Sequence, residues 1–553
     1  MKKFSRIALL LAVVAWSPLT GRTEPVSLKL PAIIGDHMVL QAGTADPIWG
    51  WAKPHESIGI QFIDSQGTPL VRADAEADAT GRWSAQLPAL KAGIAGKLRV
   101  SAGAESKEIE DVLTGQTWLC GGQSNMEFPM SGVLDAQREI DQANDPQLRL
   151  FLVGHEMAVK PRDDIAVGKW VLCAPQTVRS FSAVGYYFGK HLRSSLGEPV
   201  GLIGSYWGGT TAQVWTSAPA LRQVPALQPY ASQYDTVASR YPGPGPNEQF
   251  MKEYSDYRKS VDLWNAELLK NKEYQTGLEA WKKEDAAAKL AGKPEPKRPT
   301  FPLPEPVSPL KGAAGVPSLL FNAMIAPVAP FGIRGVIWFQ ADGNMGHPQD
   351  YGLLIKTLIN DWRNQWKQQL PFYYVEMNNM RDYPQKQPVI YNSLSLIREQ
   401  QQAALELPDT GVVCSIDLGL LIPEPHFPKK KPVGDRLALL ALNDLYHQKG
   451  LVNSPAYKDF QVEGNKIRIH LTDADGLRVS PGHSFAGFAI KGSAGDWVWA
   501  QGRIDGDSVV LWNDAVPQPA AARYAWAMNP LISVENGASL PLRPFRTDIQ
   551  TAQ

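Results

Sequence analysis

The chain has 553 residues, a length that predicts roughly three to five domains and not a single core. Hydrophobic residues make up 44% and charged residues 20%, which is typical of soluble globular proteins and disfavours a disordered chain. Lys plus Arg equals Asp plus Glu at 55 each, so no net charge favours nucleic acid or an anionic membrane. A neutral or weakly charged small molecule or glycan is the expected ligand class.

The first segment has the pattern of an export signal. Lys2, Lys3 and Arg6 precede an apolar run over residues 7–16, and small and polar residues follow. This run is too short to span a bilayer, and no later stretch approaches about 18 uninterrupted apolar residues. We therefore expect residues 1–23 to be removed and the mature chain to be periplasmic or secreted, without membrane attachment.

Cysteine usage predicts neither a disulfide framework nor a zinc cluster. Only Cys120, Cys173 and Cys414 occur, so one bridge with a free thiol and three buried thiols both remain open. The sequence leaves the oligomeric state open.

Three regions follow in chain order. Residues 24–112 alternate apolar and polar residues in short runs such as SIGIQF and RWSAQL, which predicts a β-sandwich. Residues 113–450 alternate apolar strands such as GVIWF with helical segments such as DYGLLIKTLINDWRNQW, which predicts an α/β domain with a parallel sheet covered by helices. Residues 451–553 return to short strands and predict a second β domain.

A charged, Lys- and Pro-rich segment at about 241–310 interrupts the middle region. We expect it to be an insertion over or beside the site, with one helical hairpin from 248 to 290.

The stretch WLCGGQSNMEFPM places Ser124 directly after an apolar strand and two glycines. Ligands bind outside the carboxyl ends of the strands in doubly wound sheets, so this is a position where chemistry occurs. The motif is not the G-x-S-x-G nucleophile elbow, because Met126 replaces the second glycine. Capping of a helix explains most serines of this kind, so Ser124 needs partners to be read as a nucleophile.

The sequence offers such partners after later strands. A serine nucleophile needs a base, a carboxylate that orients the base, and N–H donors for the oxyanion. The candidates that follow strands or precede the last helix of the middle region are Gly208, Gly209, Thr210, Gln340, Asp342, Asn344 and His426.

Several blocks resemble the sialate O-acetylesterase family, serine esterases of the SGNH-hydrolase superfamily. These blocks are GGQSNMEFPM, GLIGSYWGGTTAQVWTS, SLLFNAMIAPVAPFGIRGVIWFQADGN, REQQQAALELPDTG and HFPKKKPVGDRLA. LPAIIGDHMVLQ and RYAWAMNPLISVENGASLPLRPFRTD extend the resemblance to both flanks, so it spans nearly the whole mature chain except the 241–310 segment. It implies an SGNH-like domain between two β domains, and hydrolysis of O-acetyl esters on carbohydrates without a metal or a cofactor.

The resemblance also implies residue roles. Ser124 matches the nucleophile, and its own N–H would join the oxyanion hole. Gly209 matches a glycine whose N–H would contribute as well, with Gly208 as the alternative. Gln340 matches a glutamine whose amide would supply a further donor, and His426 matches the family's histidine.

Two departures concern the acid that orients His426. The family's Q-G-E-S-N reads QADGN here, which puts Asp342 where Glu is usual, and its D-I-H-P reads EPHF, which puts Glu424 where Asp is usual. Both carboxylates are candidates. We favour Asp342, because Pro425 restricts how Glu424 can turn back onto its neighbour.

For several other residues a structural role is the alternative to a functional one. Asp417 is expected to cap a loop, and Trp207 and Trp338 are expected to pack inside the domain, with sugar contact as the alternative. Of the remaining histidines only His347, three residues after Asn344, is a candidate for substrate contact beside Asn344 itself.

The predicted function is release of acetate from an O-acetylated oligosaccharide or polysaccharide. We favour plant xylan or xyloglucan over sialic acid, because two motif blocks and the insertion differ from the family pattern. A different class stays open: a glycan-binding protein built on a degenerate esterase domain.

Overall fold

The computed structural model describes residues 27–242, 248–290, 296–304, 315–380, 384–389, 393–420 and 424–548. The predicted export signal at 1–23 lies outside the described residues. None of the helices in the described ranges is long and apolar enough to cross a membrane.

Short strands make up the amino-terminal part. They are β1 (Val39–Gln41), β2 (Asp46–Trp51), β3 (Ser57–Asp64), β4 (Pro69–Glu76), β5 (Arg82–Leu87) and β6 (Ala95–Ala102). β4, β3 and β6 form an antiparallel sheet, and β2 pairs with β5 in a second sheet. The alternating runs face a shared core with their apolar residues, as the sequence predicts.

One long strand, β7 (Glu105–Gly122), joins this part to the middle region. Its first half pairs with β6, and its second half enters the central sheet. The predicted boundary at 112/113 falls within this strand. In its second half the run from Thr114 onward is buried without alternation, as expected for a strand covered on both faces.

The central sheet is built from strands of the middle region around β7. They are β8 (Asp145–Leu152), β9 (Trp170–Cys173), β10 (Val200–Tyr206), β11 (Gly335–Phe339), β12 (Phe372–Glu376) and β13 (Thr410–Cys414). The spatial order is β13-β12-β11-β7-β10-β8-β9, and every pair is parallel except the edge pair β8–β9. This confirms the predicted α/β class with a parallel sheet.

Helices cover both faces of this sheet. The described helices of the middle region, which include those of the charged segment, are α1 (Ser124–Glu127), α2 (Ala136–Asp141), α3 (Pro175–Val178), α4 (Ala183–Leu196), α5 (Ala218–Gln223), α6 (Gln228–Arg240), α7 (Glu248–Lys270), α8 (Lys272–Leu290), α9 (Tyr351–Trp366), α10 (Ser393–Gln401) and α11 (Lys431–Tyr446). Cys120 of β7 contacts α4 at Gly185, whereas the next residue, Gly121, approaches Trp362 of α9. Successive residues of a strand point to opposite faces, so α4 and α9 lie on opposite sides.

Close packing fixes α11 against α4. A Cβ atom on Gly434 would lie 2.6 Å from Cβ of Tyr187 and 2.8 Å from the backbone nitrogen of Phe188. Only glycine lets the two helices approach this closely, and α11 is the helix that follows the loop of His426. The position of that loop is therefore fixed by core packing.

The charged segment contains the two predicted helices, α7 and α8, but they do not form a side-by-side hairpin. Only Asn271 separates them, and the i to i−4 bonds continue across it, from the Asn271 nitrogen to Glu267 and from the Gln275 nitrogen to Asn271. The returning chain supplies the packing partner: the Trp264 indole donates to the Leu303 carbonyl and the Trp281 indole to that of Pro296. Trp264 and Trp281 are 17 residues apart in the helices, and their partners Leu303 and Pro296 are seven residues apart in the returning chain. Both separations correspond to about 25 Å, the first in a helix and the second in an extended chain. The returning segment therefore runs in extended form along one long helical rod made of α7 and α8.

The carboxyl-terminal part consists of antiparallel sheets, as predicted. Its strands are β14 (Ala456–Glu463), β15 (Lys466–Thr472), β16 (Arg478–Val479), β17 (Phe488–Lys491), β18 (Val498–Trp499), β19 (Gln501–Asp505), β20 (Ser508–Trp512), β21 (Ala521–Tyr524), β22 (Val534–Glu535) and β23 (Phe545–Arg546). Two four-stranded sheets, β14-β15-β20-β19 and β18-β17-β21-β23, share one apolar core.

A buried arginine anchors this part to the middle region. Arg398 of α10 donates to the carbonyls of Met377 and Asn378 on one side and of Ala527 and Met528 on the other. Burial lowers the pKa of Arg398 to about 10, but carbonyl acceptors take four of its five N–H groups.

All three cysteines are buried and unbonded. Of the two alternatives left by the sequence, the structure has three buried thiols. Burial raises the pKa of the Cys173 thiol to about 12, so this group stays protonated at neutral pH.

The buried Asp46 is expected to make the free energy of unfolding depend on pH. It is buried where the amino-terminal part meets the loop before β11, and its Oδ1 accepts the N–H of Gln41 at 3.2 Å. Burial raises the pKa of Asp46 from 3.8 to about 8. Because a raised pKa in the folded state favours the protonated acid, its contribution is complete below about pH 4 and is lost as pH rises towards 8, at about 1.4 kcal/mol per pH unit.

Asp46→Asn removes this titration and keeps the acceptor. We expect the variant to match the parent near pH 4 and to exceed its free energy of unfolding by several kcal/mol near pH 8. Denaturant unfolding at both pH values measures the difference. Equal gaps at the two pH values would contradict burial of a protonated Asp46.

Candidate functional site

Three adjacent strands of the central sheet end at one edge. β7 lies between β11 and β10, and because all three run parallel their carboxyl ends meet there. Ser124 follows β7, the Gly208–Gly209 pair follows β10, and Asp342 follows β11. Sheet topology thus brings together residues far apart in the chain.

Ser124 begins the short helix α1 and is partly buried. The preceding Gln123 is buried, and its side-chain oxygen accepts the N–H of Gly343 at 3.0 Å. This bond attaches the loop of Asp342 to the turn of Ser124.

The backbone N–H groups of the two glycines after β10 differ in their hydrogen bonding. Gly208 packs against Ser124, since a Cβ there would lie 3.2 Å from the serine Cβ, and its N–H donates to Oε2 of Glu127 at 2.6 Å. Gly209 is exposed and has a φ of 75°, a left-handed conformation that favours glycine. In the described part of the chain its N–H has no acceptor.

His426 lies in the loop before α11 with Glu424 beside it. Nδ1 of His426 is 3.2 Å from Oε1 of Glu424, and the same oxygen accepts the backbone N–H of His426 at 2.9 Å. Both side chains are about two-fifths exposed, at 39% and 44%. The carbonyl of Pro425 accepts the side-chain amide of Asn125 at 3.3 Å, so this loop contacts the residue next to Ser124.

Pro425 does not keep Glu424 away from His426. Glu424 reaches forward, past the proline, and its carboxylate is held by the N–H of His426. The longer glutamate side chain provides that reach. Asp342 occupies a 3-10 turn, Asp342–Asn344, that is attached to the Ser124 turn through Gly343.

Gln340 and Asn344 form a buried amide network. The Gln340 amide donates to the Thr210 carbonyl at 3.1 Å and to Oδ1 of Asn344 at 2.9 Å. The Asn344 amide donates to the Gln213 side chain at 2.9 Å. Both N–H groups of Gln340 are thus engaged with the chain, in an arrangement that braces the loop after β10 against the loop after β11.

The remaining candidates have simpler surroundings. His347 is exposed, and its backbone N–H bonds the carbonyl of Asn344 at 2.9 Å. Asp417 forms a bidentate ion pair with Arg436 at 2.8 and 2.7 Å, a structural contact. Trp338 is buried among other aromatic rings, which agrees with packing as its main role.

Glu127 and His155 are site residues that the sequence analysis missed. His155 Nε2 lies 3.1 Å from Oε1 of Glu127, and its ring stacks on Trp207 with centroids 4.4 Å apart. The half-buried Trp207 thus has an aromatic partner at the edge of the site. The spacing of Glu127, one helical turn after Ser124, was an available signal, whereas His155 lies in a loop with no local motif.

The turn of Ser124 and the loop of the His426–Glu424 pair are joined through the Asn125–Pro425 bond. Among the described residues no hydrogen bond links the Ser124 hydroxyl to the His426 imidazole. The described residues contain no group of three or more His, Cys, Asp or Glu side chains arranged to hold a metal ion.

Comparison with known proteins finds similar esterases. Residues 317–443 match the family described as carbohydrate esterase, sialic acid-specific acetylesterase. The crystal structure of a carbohydrate acetylesterase from Xanthomonas citri has 30% sequence identity and a TM-score of 0.75, covering 95% of this chain and 100% of that one. Sialate O-acetylesterase of Homo sapiens is 23% identical over 507 residues, which is 86% of this chain and 81% of the human protein. The enzyme of Mus musculus is 25% identical over 493 residues, 83% of this chain and 81% of the mouse protein.

The fold and these similarities define a carboxylic ester hydrolase of the carbohydrate esterase class. Within that class, the chain belongs to the carbohydrate acetylesterases, as its 30% identity to the Xanthomonas citri enzyme over nearly the whole length shows, and its residues 317–443 match the sialic acid-specific acetylesterase family.

Proposed function

We propose that this protein releases acetate from O-acetylated glycans by a serine mechanism. The observation that carries the proposal is the His426–Glu424 pair, with Nδ1 and Oε1 3.2 Å apart, on a loop that is hydrogen-bonded to Asn125 next to Ser124. A carboxylate at Nδ1 fixes the imidazole so that Nε2 is the nitrogen available to a serine hydroxyl.

The reaction proceeds through an acetyl-enzyme. Nε2 of His426 takes the proton of Ser124 as the serine oxygen attacks the acetyl carbonyl, and the imidazolium then protonates the departing sugar oxygen. Water, deprotonated by His426, attacks the acetyl-serine and releases acetate, and the serine regains its proton. The carboxylate beside Nδ1 stabilises the imidazolium in both halves.

The oxyanion rests on the backbone N–H groups of Ser124 and Gly209. Two observations support Gly209 over Gly208: the Gly208 N–H is occupied by Glu127, and that of Gly209 has no acceptor among the described residues. Gln340 could act as a further donor only by exchanging one of its two present bonds. Asn344 holds this region in place, and the exposed His347 is the candidate for substrate contact.

Glu424 is the acid that we assign to His426, with Asp342 as the second candidate. Glu424 has the direct contact, whereas Asp342 belongs to the neighbouring turn.

Two sets of observations bear on the substrate class. The relatives named sialate O-acetylesterase support sialic acid, whereas the altered QADGN and EPHF blocks and the rod of α7 and α8 support a different acetylated glycan. We propose a plant polysaccharide such as xylan or xyloglucan as the preferred substrate. Neither a cofactor nor a nucleic acid enters the reaction.

A substrate panel tests this choice. Purified protein is incubated with acetylated xylan, acetylated xyloglucan and O-acetylated sialoglycan at equal acetyl content, and released acetate is measured. We expect kcat/KM on a plant polysaccharide to exceed that on the sialoglycan by at least about tenfold, the size of a modest pocket preference. A preference for the sialoglycan would contradict the substrate assignment but not the esterase mechanism.

We also propose that the protein works outside the cytoplasm, in the periplasm or after secretion. The basic residues and the apolar run of the first segment support export. Amino-terminal sequencing of the mature protein tests this, and an intact Met1 on protein recovered from the producing cells would contradict it.

A further inference from the structure

Lys430, four residues after His426, is fully buried. Its Nζ lies 3.7 Å from the ring centroid of Phe427, 4.8 Å from that of Phe128 and 5.5 Å from that of Phe339. Its hydrogen-bond partner is Oδ1 of Asn125 at 2.5 Å. In the described ranges no carboxylate pairs with this amino group.

Burial of a lysine without a carboxylate partner costs free energy. Burial of an amino group disfavours its charged form, and it holds the pKa of Lys430 well below its usual 10.5. Aromatic faces compensate in part through cation–π attraction. A methionine of similar length would fill the same space without this cost, so packing alone does not account for the amino group.

The hydrogen bonds suggest what the amino group does. The side-chain amide of Asn125 is used at both ends: its oxygen accepts from Lys430, and its nitrogen donates to the Pro425 carbonyl at 3.3 Å. Lys430 and Pro425 flank His426 in the chain, and Asn125 directly follows Ser124. One side chain therefore connects the nucleophile turn to both sides of the histidine loop.

The aromatic rings around Nζ come from the same elements. Phe128 follows helix α1, Phe339 ends β11 next to the Gln340 loop, and Phe427 directly follows His426. The amino group thus lies where the nucleophile turn, the loop of Asp342 and the histidine loop meet.

We propose that Lys430 is a positioning residue that, through Asn125, sets the distance between the Ser124 hydroxyl and the His426 imidazole. This inference rests on the proposed serine mechanism. Misplacement of reacting groups by about 1 Å costs on the order of 10²-fold in rate, so a small shift of the histidine loop is enough to be measured.

The test compares Lys430→Met, Asn125→Ala and the double variant with Lys429→Met as the matched control. Lys429 is the exposed neighbour on the same loop. The readouts are kcat and KM for 4-nitrophenyl acetate and the melting temperature. We expect Lys430→Met to lower kcat by about 10- to 100-fold, to leave KM within about threefold, and to keep or raise the melting temperature.

A purely structural lysine would not separate activity from stability in this way. Because the amino group acts through Asn125, the double variant should be no slower than the slower single variant. A Lys430→Met variant with kcat within twofold of the parent, a joint fall of kcat and melting temperature, or multiplied effects in the double variant would each overturn the proposal. If Lys430→Met does not fold, Asn125→Ala decides: full kcat in that folded variant overturns the proposal, and a 10- to 100-fold loss supports it.

Ser124→Ala in the same assay separates this inference from the proposed function. Retained activity in Ser124→Ala would refute the serine mechanism itself. An inactive Ser124→Ala beside a fully active Lys430→Met would refute only the role of Lys430.

Discussion

Replacing His426 with alanine is expected to lower kcat for acetate release by about 10⁴-fold or more. The imidazole is proposed to move the proton in both acylation and deacylation, so its loss affects every step. Initial rates with 4-nitrophenyl acetate measure the effect. Removal of Ser124 should be of similar size, and the double variant should be no slower than either single one, because the two groups act as a unit.

His483→Ala is the matched control for this variant. His483 is exposed in the carboxyl-terminal β part, where its backbone N–H bonds the Ser480 carbonyl. It should retain full activity. A His426→Ala variant with a rate within tenfold of the parent would contradict the assignment of the general base.

The second large loss of kcat is expected on replacement of Glu424, the acid assigned to His426. Glu424→Gln keeps the size of the side chain but removes the negative charge beside Nδ1 of His426, so we expect kcat to fall by about 10²- to 10⁴-fold. Asp342→Asn should cost less, because the contact with the imidazole is made by Glu424. Steady-state rates of the two variants and of their combination measure the relative weights.

A larger loss in Asp342→Asn than in Glu424→Gln would reverse the assignment. Equal losses that multiply in the double variant would indicate that both carboxylates act on His426. In either case the serine and histidine roles would stand, since neither depends on which acid is used.

The arrangement of strands was accessible from the sequence because it rests on strong local patterns. The buried run TWLCGG predicts a strand covered on both faces, and it is the central strand β7. Right-handed strand–helix–strand connections then bring the carboxyl ends of neighbouring strands to one edge. For this reason Ser124, Gly209 and Asp342 could be grouped before any coordinates were known.

Details that depend on tertiary contacts were not accessible. The helices α7 and α8 have the right bounds, but their packing against residues 296–304 and not against each other depends on the indole contacts of Trp264 and Trp281. The orientation of Glu424 depends on a backbone bond two residues away, which sequence spacing alone does not reveal.

Lys430 shows a further limit. Lysine is among the residues least often buried, so a run of three lysines is read as a solvated surface. Only the middle one of Lys429, Lys430 and Lys431 points into the aromatic cage. The local pattern carries no sign of this, because α11 begins at Lys431 and helical periodicity does not extend back to Lys430.

Covalent labelling tests whether Ser124 is the activated nucleophile. The protein is incubated with a fluorophosphonate, which reacts with serines activated by an adjacent base, and the modified peptide is identified by mass spectrometry. We predict one phosphonyl group, located on Ser124, with loss of activity in proportion to labelling and much slower labelling in His426→Ala. Full esterase activity in protein that stays unlabelled at Ser124, or inactivation through a different residue, would contradict the proposed mechanism.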